Sequence, residues 1–441
     1  MLWSGQIVAV VGNSVLRFAF VVHAWQHGGG ATAVALLALC AVLPQILLGP
    51  LAGALIDRCR LRVALQLSGL GGLVIVVGFA VATSATAIPL PGLYLVVTLL
   101  GVAAAFQYPA LSSAVPLMVG REHLRRANAL LATARSAAEV FGPALAAGLL
   151  AVGGLRSTVW TNVVALVVAL VTVWCVPLPA RRGPAEPATE PRGVLRESLD
   201  GLRLMRDTPS FGGLAAMVFM VNLCMVFGLI VTQPMILRQT GDSAALATVM
   251  ACSGIGGIAG GLLAGARTWK RSRISTVNLG IVAACLGSLV LVGCVRRVPL
   301  WCAGVLAGSA ALAVVNTDIQ SIVQTKVPPG TQGRMFGAMQ LIGDASVPLA
   351  MGVAGPLADE VFEPLDGGAP ALVTALAPLV GSGPGSGMAV MLLIAGVGGV
   401  AVALCAQAWP PLRDIDILVP DLPDGRTGHG DLVARPERMA S

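Results

Sequence analysis

Along this chain, uncharged apolar stretches alternate with short turns that hold nearly all of the charge. A helix needs about 20 residues to cross roughly 30 Å of hydrocarbon. Measured against that length, crossings are predicted near 3–25, 31–56, 62–84, 92–117, 127–152 and 157–177, and again near 211–236, 243–265, 274–294, 299–323, 335–359 and 387–409. Between the two sets lies 178–210, rich in Pro and Arg. The stretch from Pro410 to Ser441 mixes Pro, Asp and Arg without apolar periodicity and is expected to be disordered. The pattern predicts an all-α membrane protein of 12 transmembrane helices, with a six-helix half at 1–177, a linker at 178–210, a second six-helix half at 211–409 and a tail at 410–441.

Composition supports the same class. Hydrophobic residues make up 56% and charged residues 11%, against about 25% charged in soluble domains. The formal net charge of +7 is no sign of nucleic-acid binding, because the basic residues sit in short turns. Their placement predicts orientation. With the N-terminus inside, 22 of the 28 Lys and Arg fall on the cytoplasmic side, four fall in outer loops (Arg156, Arg238, Arg296, Arg297) and two lie within crossings (Arg17, Arg135). The loop after the eleventh crossing carries Asp359, Glu360, Glu363 and Asp366 without a basic residue, as an outer loop should. Both chain ends and 178–210 are thus expected in the cytoplasm, and the protein in the inner membrane of the cell.

Smaller features fill in this layout. The nine cysteines are scattered through apolar runs and read as small core hydrophobes. The opening stretch is not expected to be a cleaved leader, since it lacks a basic start and Arg17 interrupts its apolar run. Residues 369–380 are apolar but too short to span, which suggests an interfacial or packed segment. Gly381-Ser382-Gly383-Pro384-Gly385 reads as a flexible linker. A shift of 208 carries Gly49, Gly53 and Arg126 onto Gly257, Gly261 and Arg334, the trace of a duplication.

No Gly-x-x-x-x-Gly loop precedes Lys270 or Lys326, so nucleotide hydrolysis is not expected. Charged groups inside the crossings are the functional candidates, because each costs about 2.5–3.5 kcal/mol at mid-bilayer unless it meets a partner or water. Gln6, Asn13 and Arg17 fall along one stripe of the first helix and are candidate cavity residues, with Gln107 in the fourth. Arg135, Glu139 and Pro143 share one face of the fifth helix, where the first two can form an ion pair. Asp344, mid-membrane in the eleventh helix with no base nearby in sequence, is the first candidate for carrying a proton. Glu139 ranks second, beside Arg135. Asp318, near the cytoplasmic end of the tenth helix, is expected to be hydrated.

Four motifs resemble one family. Gly53-x-x-x-Asp57-Arg58-x-x-x-Arg62 is similar to the loop between helices two and three of the major facilitator superfamily, with Arg60 where glycine is usual. Pro109-Ala110, Pro116, Leu124 and Arg126-Ala127-Asn128-Ala129-Leu130 resemble the branch of enterobactin-type siderophore exporters and macrolide efflux proteins. Gly142-Pro143 with Gly148 is similar to the fifth-helix motif of antiporters, and Gln324, Val327-Pro328 and Gly333-Arg334 resemble the loop before helix eleven in that branch.

The resemblance implies a secondary transporter: a proton-coupled exporter of a small lipophilic molecule such as a drug, antibiotic or siderophore. Gly53, Asp57, Arg58 and Arg62 would form a gating loop against Gly333 and Arg334. The alternative within the same fold is an importer or facilitator of a nutrient. An intramembrane enzyme is disfavoured by the lack of clustered loop acids or a Ser/His pair at one depth. No cofactor and no metal are expected, the proton gradient being the energy source. The expected partners are a small-molecule substrate and the lipid bilayer, not nucleic acid, and the chain is expected to be a monomer.

Overall fold

A computed structural model describes the backbone of residues 2–28, 30–58, 61–85, 89–118, 124–175, 203, 205–206, 208–266, 273–363, 370–419 and 421. Side chains are described for the same residues except 2–3, 50, 53–54, 56–58, 61–62, 64, 84–85, 108–109, 111–118, 124–135, 329–330 and 333. Among these residues there is no strand. The long helices are α1 (Leu2–Gly28), α2 (Ala31–Arg58), α3 (Leu61–Ala85), α4 (Leu90–Met118), α5 (Leu124–Cys175), α6 (Pro209–Thr240), α7 (Ser243–Ala266), α8 (Arg273–Cys294), α9 (Val298–Lys326) and α10 (Pro329–Pro356), which runs on through a widened turn at Leu357–Phe362. The short α11 (Ala371–Val380), the long α12 (Ser386–Ala408) and two single-turn helices, α13 (Pro410–Arg413) and α14 (Ile415–Leu418), complete the chain. Such an architecture is what lipid demands, since a helix satisfies its own backbone where no water can.

Eleven described segments are long and apolar enough to span a membrane, and one of them, Ser136–Cys175, is two limbs. At Gly153 and Gly154 the helical dihedrals break, and Gly154 takes φ +60°, which a side chain would oppose. The chain turns back there. Ser14 of α1 abuts Gly142 while Asn13 bonds Asn162; in a straight helix those two partners would lie about 30 Å apart. The count agrees with 12 crossings.

The 12 crossings alternate between two ends of the molecule, named here for Asp359 and Lys326. Small residues let helices approach closely: a Cβ at Gly256 or Gly260 of α7 would collide with the carbonyl oxygens of Leu306 and Ala310 of α9. Trp301, 1% exposed, donates its Nε1 hydrogen to the carbonyls of Val292 (3.1 Å) and Val295 (2.5 Å), satisfying acceptors left over at the end of α8.

Two expectations need correction. Residues 381–385 are a defined turn and not a flexible linker: Gly381, Gly383 and Gly385 all take positive φ, and the Gly385 N–H donates to Glu363 at 2.6 Å. Before it, α11 packs Val373 and Val380 inward and leaves Leu372 and Leu379 exposed. The tail is not irregular from Pro410. Through α13 and α14 it buries Leu412 and Ile415, and Asp416 and Asp421 both reach the Lys326 ammonium at 3.1 Å.

Candidate functional site

Three apolar clusters locate the site. One joins the halves: Val15, Phe18, Val22, Ala31, Ala35 and Ala146 pack with residues of α6, α7, α10 and α12, including Met235, Leu246, Met351 and Ala354. It lies toward the Asp359 end. A second cluster, from Met205 to Ile415, joins the second half to the ends of the linker and tail that flank it and lies toward the Lys326 end; a third, from Leu16 to Leu166, belongs wholly to the first half. Among the described residues no apolar cluster crosses between halves at the Lys326 end. The described apolar contacts between the halves are thus confined to the Asp359 end.

Helix α1 borders the interface between the halves. Between Ala9 and Trp25 its only exposed residues are Asn13 and Arg17, one turn apart. A surrounded helix whose only exposed positions are polar faces water and not lipid. Asn13 is oriented by Asn162 of the second α5 limb, whose Nδ2 donates to Asn13 Oδ1 at 3.1 Å. No described carboxylate lies within ion-pair distance of Arg17. Gln6 does not join them: it is 5% exposed, near the point where Gly5 abuts Thr172. Gln107 is half-buried on α4.

On the other half, Asp344 is half-buried and accepts a hydrogen bond from Gln340 Nε2 at 2.8 Å, one turn before it in α10. Helical periodicity puts positions 340 and 344 on the side that carries Gly355 and Asp359, the side of α10 that meets α2. The neighbouring Gly343 carbonyl accepts from Asn222 Nδ2 at 2.9 Å, tying α10 to α6. Asp318, expected to be hydrated, is instead only 8% exposed. Glu139 is exposed on the first limb of α5, next to Val140, which a Cβ at Gly254 of α7 would meet at 2.6 Å. The candidates do not form one hydrogen-bonded cluster among the described residues.

The side chains of Arg135, Asp57, Arg58 and Arg62, and the surroundings of Gly53 and Gly333, lie outside what is described. Arg334 is half-buried. The motif before α10 forms a tight turn: Gln332 Nε2 donates to the carbonyls of Gln324 (2.8 Å) and Val327 (2.9 Å). Of the fifth-helix motif, Gly142 is pressed against Ser14, Pro143 lies within α5, and a Cβ at Gly148 would meet nothing within 4 Å.

A family model described as the Major Facilitator Superfamily matches residues 2–351. The chain belongs to this superfamily. It is a transporter and not an enzyme. It is 24% identical over 373 residues to macrolide efflux protein A of Streptococcus pyogenes, covering 82% of this chain and 89% of that protein. It is 30% identical over 306 residues to the enterobactin exporter EntS of Shigella boydii, covering 66% and 70%. In fold it is similar to the solved structure of the nucleoside transporter NupG (TM-score 0.64, 13% identity, 92% of this chain and 99% of that one). It is likewise similar to a bacterial homologue of the human lysosomal transporter Spinster, solved inward-facing and occupied (TM-score 0.64, 16% identity, 91% and 94%).

Asp359, Asn162, Asn222 and Glu363 were not singled out as site residues from sequence. Asn162 and Asn222 are polar residues inside apolar crossings, a signal that could have found them.

Proposed function

We propose that this transporter exports a small lipophilic molecule, of the drug, antibiotic or siderophore kind, in exchange for protons. In this reading it works as a monomer by alternating access, without a cofactor. The Lys326 end faces the cytoplasm, as the distribution of Lys and Arg favours, and both termini and the 178–210 linker lie on that side of the inner membrane. The observations that support the reading are the exposed pair Asn13 and Arg17 on an otherwise covered stretch of α1, and a described apolar core between the halves confined to the other end, which in this reading leaves the Lys326 side open. The names of the relatives, a macrolide efflux protein and an enterobactin exporter, support export. Asp344 carries the proton, with Glu139 and Arg135 as the second candidate site. Asp57 and the loop from Gly53 to Arg62 engage Gly333 and Arg334 when the cytoplasmic side closes.

Everted vesicles loaded with a pH-sensitive dye test this reading, with a macrolide and a siderophore as probes. Wild type is expected to couple probe uptake to proton release. Asp344→Asn is expected to lose accumulation against a gradient while still exchanging probe at equal pH. Continued accumulation by that variant, together with failure of Glu139→Gln, transfers the role to α5. Absence of proton flux with any transported probe refutes the coupling.

A further inference from the structure

Helix α2 begins without a cap of its own. The residues before it, Gly28-Gly29-Gly30, have no side chains, so none can accept from the first backbone N–H groups of the helix. The acceptor comes from the other half of the molecule, 328 residues along the chain. Asp359, at the far end of α10, accepts from the N–H of Ala31 on Oδ1 at 2.9 Å and from the N–H of Thr32 on Oδ2 at 2.7 Å. Both oxygens are thus used at a helix end that carries about half a positive charge.

The surroundings fit this arrangement closely. A Cβ at Gly30 would collide with Asp359 Oδ2, so the bare glycine makes room for the carboxylate. One turn before Asp359, a Cβ at Gly355 would lie 2.7 Å from Thr32 Cα and 2.8 Å from Ala35 Cβ, which shows how close α2 and α10 come. Ala31 and Ala35, at 0% and 1% exposure, seal the contact into the cluster that joins the halves. The neighbouring acid Glu363 differs: its partners, Arg238 at 3.0 Å and the Gly385 N–H, belong to its own half.

We propose that Asp359 is the outer latch of the transport cycle, a positioning residue that caps α2 across the two halves only while the outer end is closed. The proposal rests on the orientation and alternating access inferred above. Separation of the halves at this end leaves two backbone donors and a carboxylate to water, so the contact favours the state open to the cytoplasm. Cargo and coupling ion play no part in it.

The test uses the full chain with its nine cysteines replaced, in cells and in everted vesicles, without substrate. Met351→Cys reports the outer end, and Gln340→Cys the inner opening, through the rate of reaction with a membrane-impermeant maleimide. Asp359→Ala is expected to raise labelling of the outer reporter from outside roughly five- to tenfold and to lower labelling of the inner reporter from the cytoplasmic face. Glu360→Ala, removing an exposed neighbouring acid, is expected to change neither. Adding Gly30→Ser to Asp359→Ala gives α2 a cap from its own chain; it is expected to restore thermal stability and leave the accessibility shift in place. Unchanged outer labelling in Asp359→Ala, a rise at both reporters together, or full reversal by Gly30→Ser would overturn the latch and leave a merely structural cap. Outer-reporter labelling that rises only in everted vesicles supports the latch and overturns the orientation.

Discussion

The two ends of this transporter are held together in different ways. At the Asp359 end, the bonds and apolar contacts run between halves: Asp359 to the start of α2, Gly355 against Thr32, and Met351 and Ala354 in one cluster with Val22 and Ala35. At the Lys326 end, the contacts seen among the described residues run within one half. The Lys326 side chain, 1% exposed, draws in Asp416, Asp421 and the Val419 carbonyl, while Arg273 reaches Thr325 and Asp421. In the alternating-access reading proposed above, a contact between halves breaks and re-forms in each cycle, and a contact within a half travels with it. The first kind sets which state is populated, the second how stable a rigid body is.

Crowding the joint between halves gives the largest expected effect. Gly355→Leu places a side chain where Thr32 and Ala35 already stand, and overpacking of that kind costs about 1–3 kcal/mol. The penalty falls on the outer-closed state alone, so populations are expected to shift roughly 5–150-fold toward the outer-open state. Maleimide labelling of Met351→Cys in cells reads this directly, and unchanged labelling would show that the close approach is not rate- or state-determining.

At the other end, Lys326→Met removes the cation but keeps the stem that packs in the core. The two carboxylates are 33% and 47% exposed and regain water, so the loss is expected to be modest, about 1–2 kcal/mol. Limited proteolysis should then cut the tail after Arg413 while the outer reporter stays silent. An outer shift in this variant would erase the distinction between the two ends.

The smallest effect concerns pH. Burial pushes the Asp421 carboxyl up, but Lys326 and Arg273 together outweigh it and hold the group below its ordinary range. A depressed folded-state pKa contributes stability above the unfolded value and loses it as pH falls through the folded one. Tail docking is therefore expected to be constant from pH 8 to about 5 and to weaken only below about pH 4, as read by proteolysis in detergent.

Much of the fold was legible because lipid enforces a length and a composition on each crossing. The polar stripe of α1 was legible too, since Asn13 and Arg17 lie four residues apart on one helical face. Gln6 falls on the same stripe, but periodicity does not tell where a neighbouring limb covers it. Asp359 was visible only as outer charge, because its partner is a pair of backbone N–H groups 328 and 327 residues away. The tail misled for a similar reason. Its composition lacks apolar periodicity, and its described part is held by Leu412 and Ile415 in the core and by a buried lysine on a different helix.

The folding back of α5 at Gly153 and Gly154 bears on how the protein is made. Helix α1 obtains its neighbours late: Ser14 waits for Gly142, Asn13 for Asn162 and Gly5 for Thr172. The second of these lies 149 residues further on. At a synthesis rate of about 5–20 residues per second, Asn13 and Arg17 stand in the membrane for roughly 7–30 s before Asn162 is even polymerised. During that interval the nascent chain holds two polar groups that lipid disfavours without the partner that later orients Asn13.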